Sequence, residues 1–305
     1  MNVFVTGGSG FVGRAVIQAL LAKDHSVHAL VNHRKLTQNN PRLQSFTGSL
    51  FDEAAVDSAM QGCDAVIHLV GIIKEKLSKQ ITFDRIHYQG TKQMLAAARR
   101  AGIKRYVQMS ALGASPTAAS QYQQTKYLAQ QAVRASDLDW TIIQPSLIHG
   151  PGGDFTEMEK AWARGSSPPY FFMPYFGSGL LGTGTQTKIQ PVFVEDVARA
   201  FVESLDNPQT IGELYALGGP DQMTWRQMHE IAAAVIVGHP RPAIGIPAWY
   251  AKAITHIVPP AILPFTRDQV LMAQTDNTCD LTKFTTTFGW TPQPFEQTLK
   301  AYTNA

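Results

Sequence analysis

Met1-Asn2-Val3-Phe4-Val5-Thr6-Gly7-Gly8-Ser9-Gly10-Phe11-Val12-Gly13-Arg14 is the stretch on which the reading of this chain turns. Asn2 to Val5 is a short apolar, β-prone run, and Ala15 to Ala22 reads as a helix. Strand, glycine turn and helix in that order are the context a dinucleotide fingerprint needs. Gly7 permits the tight turn, Gly10 removes a side chain where a pyrophosphate must approach, and Gly13 lets the helix pack closely on the strand. Backbone N–H groups at the helix start then face the phosphates, which places Ser9, Phe11 and Val12 in the same candidate site. An ordinary βα turn that tolerates glycine is the competing reading.

Working outward, 305 residues suffice for a large core and one or two domains. Hydrophobic residues make up 44% and charged residues 16%, a soluble globular profile. A net charge of +3 is too mild to argue for nucleic acid. The 2 cysteines, Cys63 and Cys279, do not make a disulfide framework and read as small apolar residues. No metal-ligating cluster is predicted. The first strand begins at residue 2, no apolar run is long enough to span a membrane, and a reducing, cytoplasmic setting is expected.

Strands and helices then alternate up to about residue 150. Strands are expected at Ser26–Val31, Leu43–Thr47, Cys63–Val70, Lys104–Met109 and Trp140–Gln144, with helices between them, including a long one over Phe83–Gly102. That rhythm predicts an α/β fold: a Rossmann doubly wound parallel sheet with a smaller C-terminal substrate domain. Residues 1–150 form the dinucleotide-binding domain, 186–206 return to it, and 151–185 with 207–305 form the smaller domain. The second strand of such a fold often ends in an acid that binds the adenosine ribose hydroxyls. Here Val31-Asn32-His33-Arg34-Lys35 follows instead. Asn32, Arg34 and Lys35 are therefore assigned to a 2′-phosphate, which favours NADP over NAD; a solvated basic loop is the alternative.

The spacing Gly7-x-x-Gly10-x-x-Gly13, with Thr6 and Phe11, resembles the extended and atypical short-chain dehydrogenase/reductases. The resemblance covers nearly the whole chain and implies further site residues. Gly48-Ser49-Leu50 resembles the segment beside the adenine, with Ser49 in place of the usual aspartate. Leu69, Val70 and Gly71 end the fourth strand where the nicotinamide ribose lies in that family. Pro145-Ser146-Leu147-Ile148-His149-Gly150-Pro151 resembles the family's Pro-x-x-x-x-Gly-Pro, so Pro145 joins the cofactor set. His87 stands in the place of a family asparagine and reads as buried and hydrogen-bonded.

Tyr122 and Lys126 are four apart, hence one turn apart on one helix face, and match the family's Tyr-x-x-x-Lys pair. The resemblance implies that the phenol exchanges a proton with a carbonyl oxygen while Lys126 lowers its pKa and holds the nicotinamide ribose. The family's third group, a Ser or Thr beyond the fifth strand, falls on Ala111. Ser110, one residue earlier and pointing the other way in a strand, is the substitute candidate.

Two apolar stretches complete the reading. Ser166–Gly184, rich in Gly, Pro and aromatics, suits a loop lining an apolar pocket or a packed structural loop. Pro247–Pro264 is broken by Pro259-Pro260 and reads as core, lid or a membrane-surface patch. The two are expected to face each other across an apolar cleft. Val107 to Pro116 most resembles a branch that includes the nucleotide-binding accessory subunit of respiratory complex I. Three functions follow as expectations: an NADP-dependent oxidoreductase acting on an apolar carbonyl or quinone, a non-catalytic cofactor-binding assembly protein, and an NAD-dependent sugar-nucleotide epimerase or dehydratase. The partners expected are a small apolar substrate and a peripheral membrane contact; the oligomeric state stays open.

Overall fold

Strand and helix alternate through the first half of the chain: β1 (Asn2–Thr6), α1 (Phe11–Ala22), β2 (Ser26–Val31), β3 (Leu43–Thr47), α2 (Glu53–Met60), β4 (Ala65–His68), α3 (Gly90–Arg100), β5 (Arg105–Met109), α4 (Gln121–Arg134) and β6 (Asp139–Pro145). The computed structural model describes residues 1–303 except 33–35, 37–38, 185–186 and 259–262. Short elements follow: β7 (Ile148–His149), α5 (Asp154–Ala163), β8 (Met173–Gly177), β9 (Lys188–Ile189), β10 (Val192–Phe193), α6 (Val194–Asp206), β11 (Glu213–Leu217), β12 (Met223–Thr224) and α7 (Trp225–Val237). The chain ends through β13 (Ala243–Pro247), α8 (Ala248–Ile257), α9 (Arg267–Met272), α10 (Thr282–Phe288) and α11 (Phe295–Thr303).

Seven parallel strands in the order β3-β2-β1-β4-β5-β6-β11 make the main sheet. Side chains alternate between its faces, and both faces are covered. Val3, Val5, Ala65, Ile67 and Val107 pack with α1 and α6 on one side. Phe4, Val66, Tyr106 and Ile142 pack with α2, α3 and Val133 of α4 on the other. The strand order reverses between β1 and β4, which opens a crevice at their carboxyl ends, where such sheets bind ligands.

The smaller domain differs in extent from the expected 207–305. β11 is the seventh strand of the main sheet, paired with β6 from Glu213↔Thr141 to Leu217↔Pro145. Phe284, Phe288 and Trp290 close over it and join the core shared with α1 and α6. Tyr215 and Leu217 are apolar enough to be buried there, which the sequence rhythm alone did not reveal. The return of α6 is fixed by Arg105, whose guanidinium is buried between β5, β6 and the end of α6. It donates to Thr141 Oγ1 (2.7 Å), Thr210 Oγ1 (2.9 Å) and the Ser204 carbonyl, and burial lowers its pKa to about 10. The smaller core holds Met173, Ile189, Met228, Ala232, Phe295 and Leu299. Thr224 and Gln227 form a reciprocal cap at the start of α7, an arrangement worth about 1 kcal/mol.

Among the described residues the two apolar stretches touch directly rather than across a cleft, Trp249 Nε1–H donating to the Leu180 carbonyl at 3.1 Å. β8 and β13 lie side by side as a parallel pair, Met173↔Ala243 to Gly177↔Pro247. Within Pro247–Pro264 the described chain forms α8. The expected helix over Phe83–Gly102 is also divided: Asp84–Gln89 winds as a wider π-type turn before α3 begins.

Candidate cofactor and active site

The glycine turn leaves β1 with Gly7 in the left-handed region at φ +74°, and Gly10 N–H donates to the Gly7 carbonyl at 2.9 Å. A Cβ on Gly13 would lie 2.1 Å from Gly7 O and 2.7 Å from Gly8 Cα, so this glycine is demanded by backbone packing of the turn on α1. A Cβ on Gly10 would meet only Gly7 O, at 3.1 Å, and would otherwise point into open space. α1 has no side-chain cap at its N-terminus, so its first N–H groups remain available to an anion. Phe11 turns its ring away and packs it under the Gly150–Gly153 turn, where a Cβ on Gly153 would be 2.8 Å from the ring; Phe11 can serve a cofactor only through its main chain. Ser9 is half-buried beside the turn and Val12 is buried in the core.

Asn32 is exposed just past β2. Arg34 and Lys35 lie outside the described residues. Ser49 Oγ accepts from Phe51 N–H at 3.2 Å and so shapes its own turn, while Leu50 is buried against Gly90. Leu69 and Val70 abut Gly7 across the crevice. Pro145 is buried, and its carbonyl accepts from Leu112 N–H at 3.0 Å. The turn, the uncapped helix end and the open space over Gly10 together fit a dinucleotide.

Lys126 is 2% exposed at the floor of the crevice, and its Nζ donates to the Met109 carbonyl at 3.3 Å. A Cβ on Gly71 would be 2.9 Å from that Nζ, so the absence of a side chain at 71 makes room for the end of the lysine. Burial lowers the Lys126 pKa to about 8. The ammonium is therefore costly in the protein alone. Lys126→Met is expected to stabilise the cofactor-free protein by about 2–3 kcal/mol at pH 7 while weakening dinucleotide binding. Because the folded pKa lies below the unfolded one, the unfolded chain holds more protons between pH 8 and 10.5. The wild type should gain stability across that window and the variant should not, as read by thermal unfolding at a series of pH values.

Tyr122 lies one turn before Lys126 on α4. Its ring meets His87 edge-on at 5.2 Å and Phe83 edge-on at 5.9 Å. Its hydroxyl bonds to no described residue. Its backbone N–H donates to Asp268 Oδ1 at 3.3 Å, a carboxylate brought from α9 to the start of the helix. Burial pushes the phenol up to about 12, and no charge of the protein brings it down; the expected lowering by Lys126 does not occur in the protein by itself.

His87 is buried with both ring nitrogens engaged. Thr125 Oγ1 donates to the Gln121 carbonyl at 2.9 Å, so its lone pair accepts the His87 Nδ1–H at 2.9 Å. Nε2 then accepts Ile72 N–H at 3.1 Å. Burial and the Lys126 charge lower the His87 pKa to about 2, which keeps the ring neutral. His87 thus ties the segment after Gly71 to the catalytic-type helix. His68 is buried beside Thr6, with Nδ1 2.6 Å from Thr6 Oγ1, and burial lowers its pKa to about 3. Sequence reading missed His68, Thr125 and Asp268. Thr125 sits inside the Tyr-x-x-x-Lys motif and could have been noticed; Asp268 is 146 residues from its partner and gave no signal.

Ser110 meets α4 one helical turn beyond Lys126, at Gln130. It is buried, and its Oγ accepts from Gln130 Nε2 at 2.5 Å. Ala111 occupies the strand-end position and has no hydroxyl to offer. Among the described residues no group of His, Cys, Asp or Glu could hold a metal ion, and no helix is long and apolar enough to cross a membrane.

Comparison with known proteins agrees with this geometry. A family model described as NAD(P)H-binding matches residues 7–163. Subunit 9 of the NADH dehydrogenase [ubiquinone] 1 alpha subcomplex of Arabidopsis thaliana, mitochondrial, is 33% identical over 262 residues, covering 82% of this chain and 61% of that protein. A ceramide reductase of Caulobacter vibrioides is 29% identical over 243 residues, covering 78% of this chain and 72% of that protein. In fold, the chain is similar to a UDP-glucose 4-epimerase of Thermotoga maritima, with a TM-score of 0.74 at 20% identity over 100% of this chain and 98% of that one. With the family model spanning more than half its length, from the glycine turn to the end of α5, this chain belongs to the NAD(P)H-binding family of Rossmann-fold proteins related to the short-chain dehydrogenase/reductases.

Proposed function

We propose that the chain is a cytoplasmic oxidoreductase that transfers hydride between NADP(H) and an apolar carbonyl or quinone-type compound, with Tyr122 moving the proton. The observation that carries this reading is the Tyr122 hydroxyl, which has no described protein partner and stands one helical turn from a buried lysine whose amine lies against Gly71. The glycine turn and the α1 N-terminus would hold the pyrophosphate, and Lys126 the nicotinamide ribose. Bound there, the cofactor supplies or accepts the hydride.

The chain's own residues set the direction of the proton. A phenol held at about 12 keeps its proton at neutral pH, so Tyr122 is stocked as a donor to a substrate oxygen and is a poor base in reverse. His87 orients the ring by edge contact and takes no proton itself, because its Nδ1–H is committed to Thr125 and its Nε2 lone pair to the Ile72 N–H. The ceramide reductase relative supports a reductive role on an apolar substrate. The cofactor preference is tested by calorimetric titration with NADPH and NADH. NADPH should bind at least about tenfold more tightly, a difference of roughly 1.4 kcal/mol. Equal or tighter binding of NADH overturns that part.

A second reading has a specific observation behind it. Ala111 lacks a hydroxyl and Ser110 Oγ is buried against Gln130, so the position at the end of β5 where the related enzymes carry a Ser or Thr has no hydroxyl. That favours a cofactor-binding assembly protein without turnover, and the Arabidopsis relative bears the name of a subunit of a larger complex.

A further inference from the structure

The smaller domain carries a surface built against the usual pattern. In α8 the fully buried residues are Ala248 and Ala251, whereas Trp249 is 52% exposed, Tyr250 49% and Ile257 81%. Trp249, Tyr250, Ala253, His256 and Ile257 all fall in the exposed class at helical spacing, so the large apolar side chains face outward. Beside them stand Leu180 and Leu181, 77% and 72% exposed. Trp249 Nε1–H donates to the Leu180 carbonyl at 3.1 Å, which joins the leucine turn to the helix.

The leucine turn is held in place by main chain. A Cβ on Gly182 would be 2.7 Å from Gly245 O, and one on Gly245 would be 2.1 Å from Gly182 O, so the turn lies directly on β13 with no side chain between. A rigid turn that presents two leucines, next to a helix that presents a tryptophan, a tyrosine and an isoleucine, is the arrangement of an interfacial anchor. An apolar patch of this kind marks an interaction surface, and its charge identifies the partner.

Within this lobe, residues 165–184 and 238–258, which carry β8, the leucine turn, β13 and α8, contain no Asp or Glu. They carry Arg241 and Lys252. Of the whole chain's +3, this acid-free stretch carries +2 from Arg241 and Lys252. Outward aromatics and aliphatics beside an acid-free, cationic stretch complement an anionic bilayer. We infer that this lobe docks on the surface of an anionic lipid bilayer, with the leucine turn and the outer face of α8 inserted at headgroup depth. The same lobe reaches the cofactor crevice through Asp268 on the Tyr122 N–H and through the Pro264 carbonyl, which accepts from Lys74 Nζ at 3.1 Å. Docking would therefore bring the crevice close to the lipid surface. The inference stands independently of any turnover at Tyr122.

The test is flotation of the full chain with vesicles of equal parts phosphatidylcholine and phosphatidylglycerol, and with vesicles of phosphatidylcholine alone. The wild type should float with the anionic vesicles at low salt, at least about tenfold less with the neutral ones, and be released as salt rises. The double variant Leu180→Asp with Leu181→Asp, and separately Ile257→Asp, should lose at least about tenfold in anionic vesicle binding. Their melting temperatures should not change, because these side chains are exposed. Absence of flotation, or flotation of the leucine double variant equal to wild type, overturns the proposal. So does a wild-type dimer in solution that the double variant turns into a monomer while neither binds vesicles, since the face would then be a contact between copies of this chain.

Discussion

Replacing Gly10 with valine is expected to abolish binding of both NADPH and NADH while leaving the fold intact. The outward direction at Gly10 is open except for Gly7 O at 3.1 Å, and its backbone is extended at φ −77°, which any residue adopts. The valine side chain would stand in the space assigned to the pyrophosphate and block the approach to the α1 N–H groups. Affinity should fall at least about a hundredfold, roughly 3 kcal/mol, by calorimetry. Gly13→Ala is the contrasting arm. Its Cβ would strike main-chain atoms at 2.1 and 2.7 Å, so it should lower the melting temperature by overpacking, at a cost of about 1–3 kcal/mol or more. Unimpaired dinucleotide binding by a folded Gly10→Val protein would show that the cofactor does not cross this turn.

Tyr122→Phe carries the second large effect. The substitution keeps the ring and its edge contacts with His87 and Phe83 and removes a hydroxyl that bonds to no described residue. Stability should change by less than about 0.5 kcal/mol and NADPH affinity should hold. Turnover should fall by roughly 10²–10⁴-fold, the usual contribution of a positioned acid–base group. The assay is NADPH oxidation against a panel of quinones, aldehydes and ketones. Ala111→Ser, which restores a hydroxyl at the end of β5, should raise the rate of an enzyme. Wild-type activity that survives unchanged in Tyr122→Phe removes the acid–base role. No activity from wild type or Ala111→Ser on any member of the panel favours the assembly protein.

The sequence by itself determined the sheet and the phosphate end of the crevice. Thr6-Gly7-Gly8-Ser9-Gly10-Phe11-Val12-Gly13 is a local motif: its turn, helix start and close packing are set by residues within one strand and one helix, so their identities alone specify the backbone. The one-turn spacing of Tyr122 and Lys126 was legible for the same reason. What the tertiary structure decided depends on partners far apart in the chain. Leu214 to Leu217 reads as a strand in the sequence, but its place in the main sheet came from pairing with β6, and β8 paired with β13, because register between distant strands is chosen by which side chains can be buried together. Burial likewise set the ionisation of the site: it raised Tyr122 and lowered Lys126 against the expectation from their proximity, since desolvation acts through every neighbour that excludes water. Ser110 was turned to Gln130, and Ile72, Thr125 and Asp268 were brought to His87 and Tyr122, by the packing of helices against the sheet ends, which no local spacing encodes.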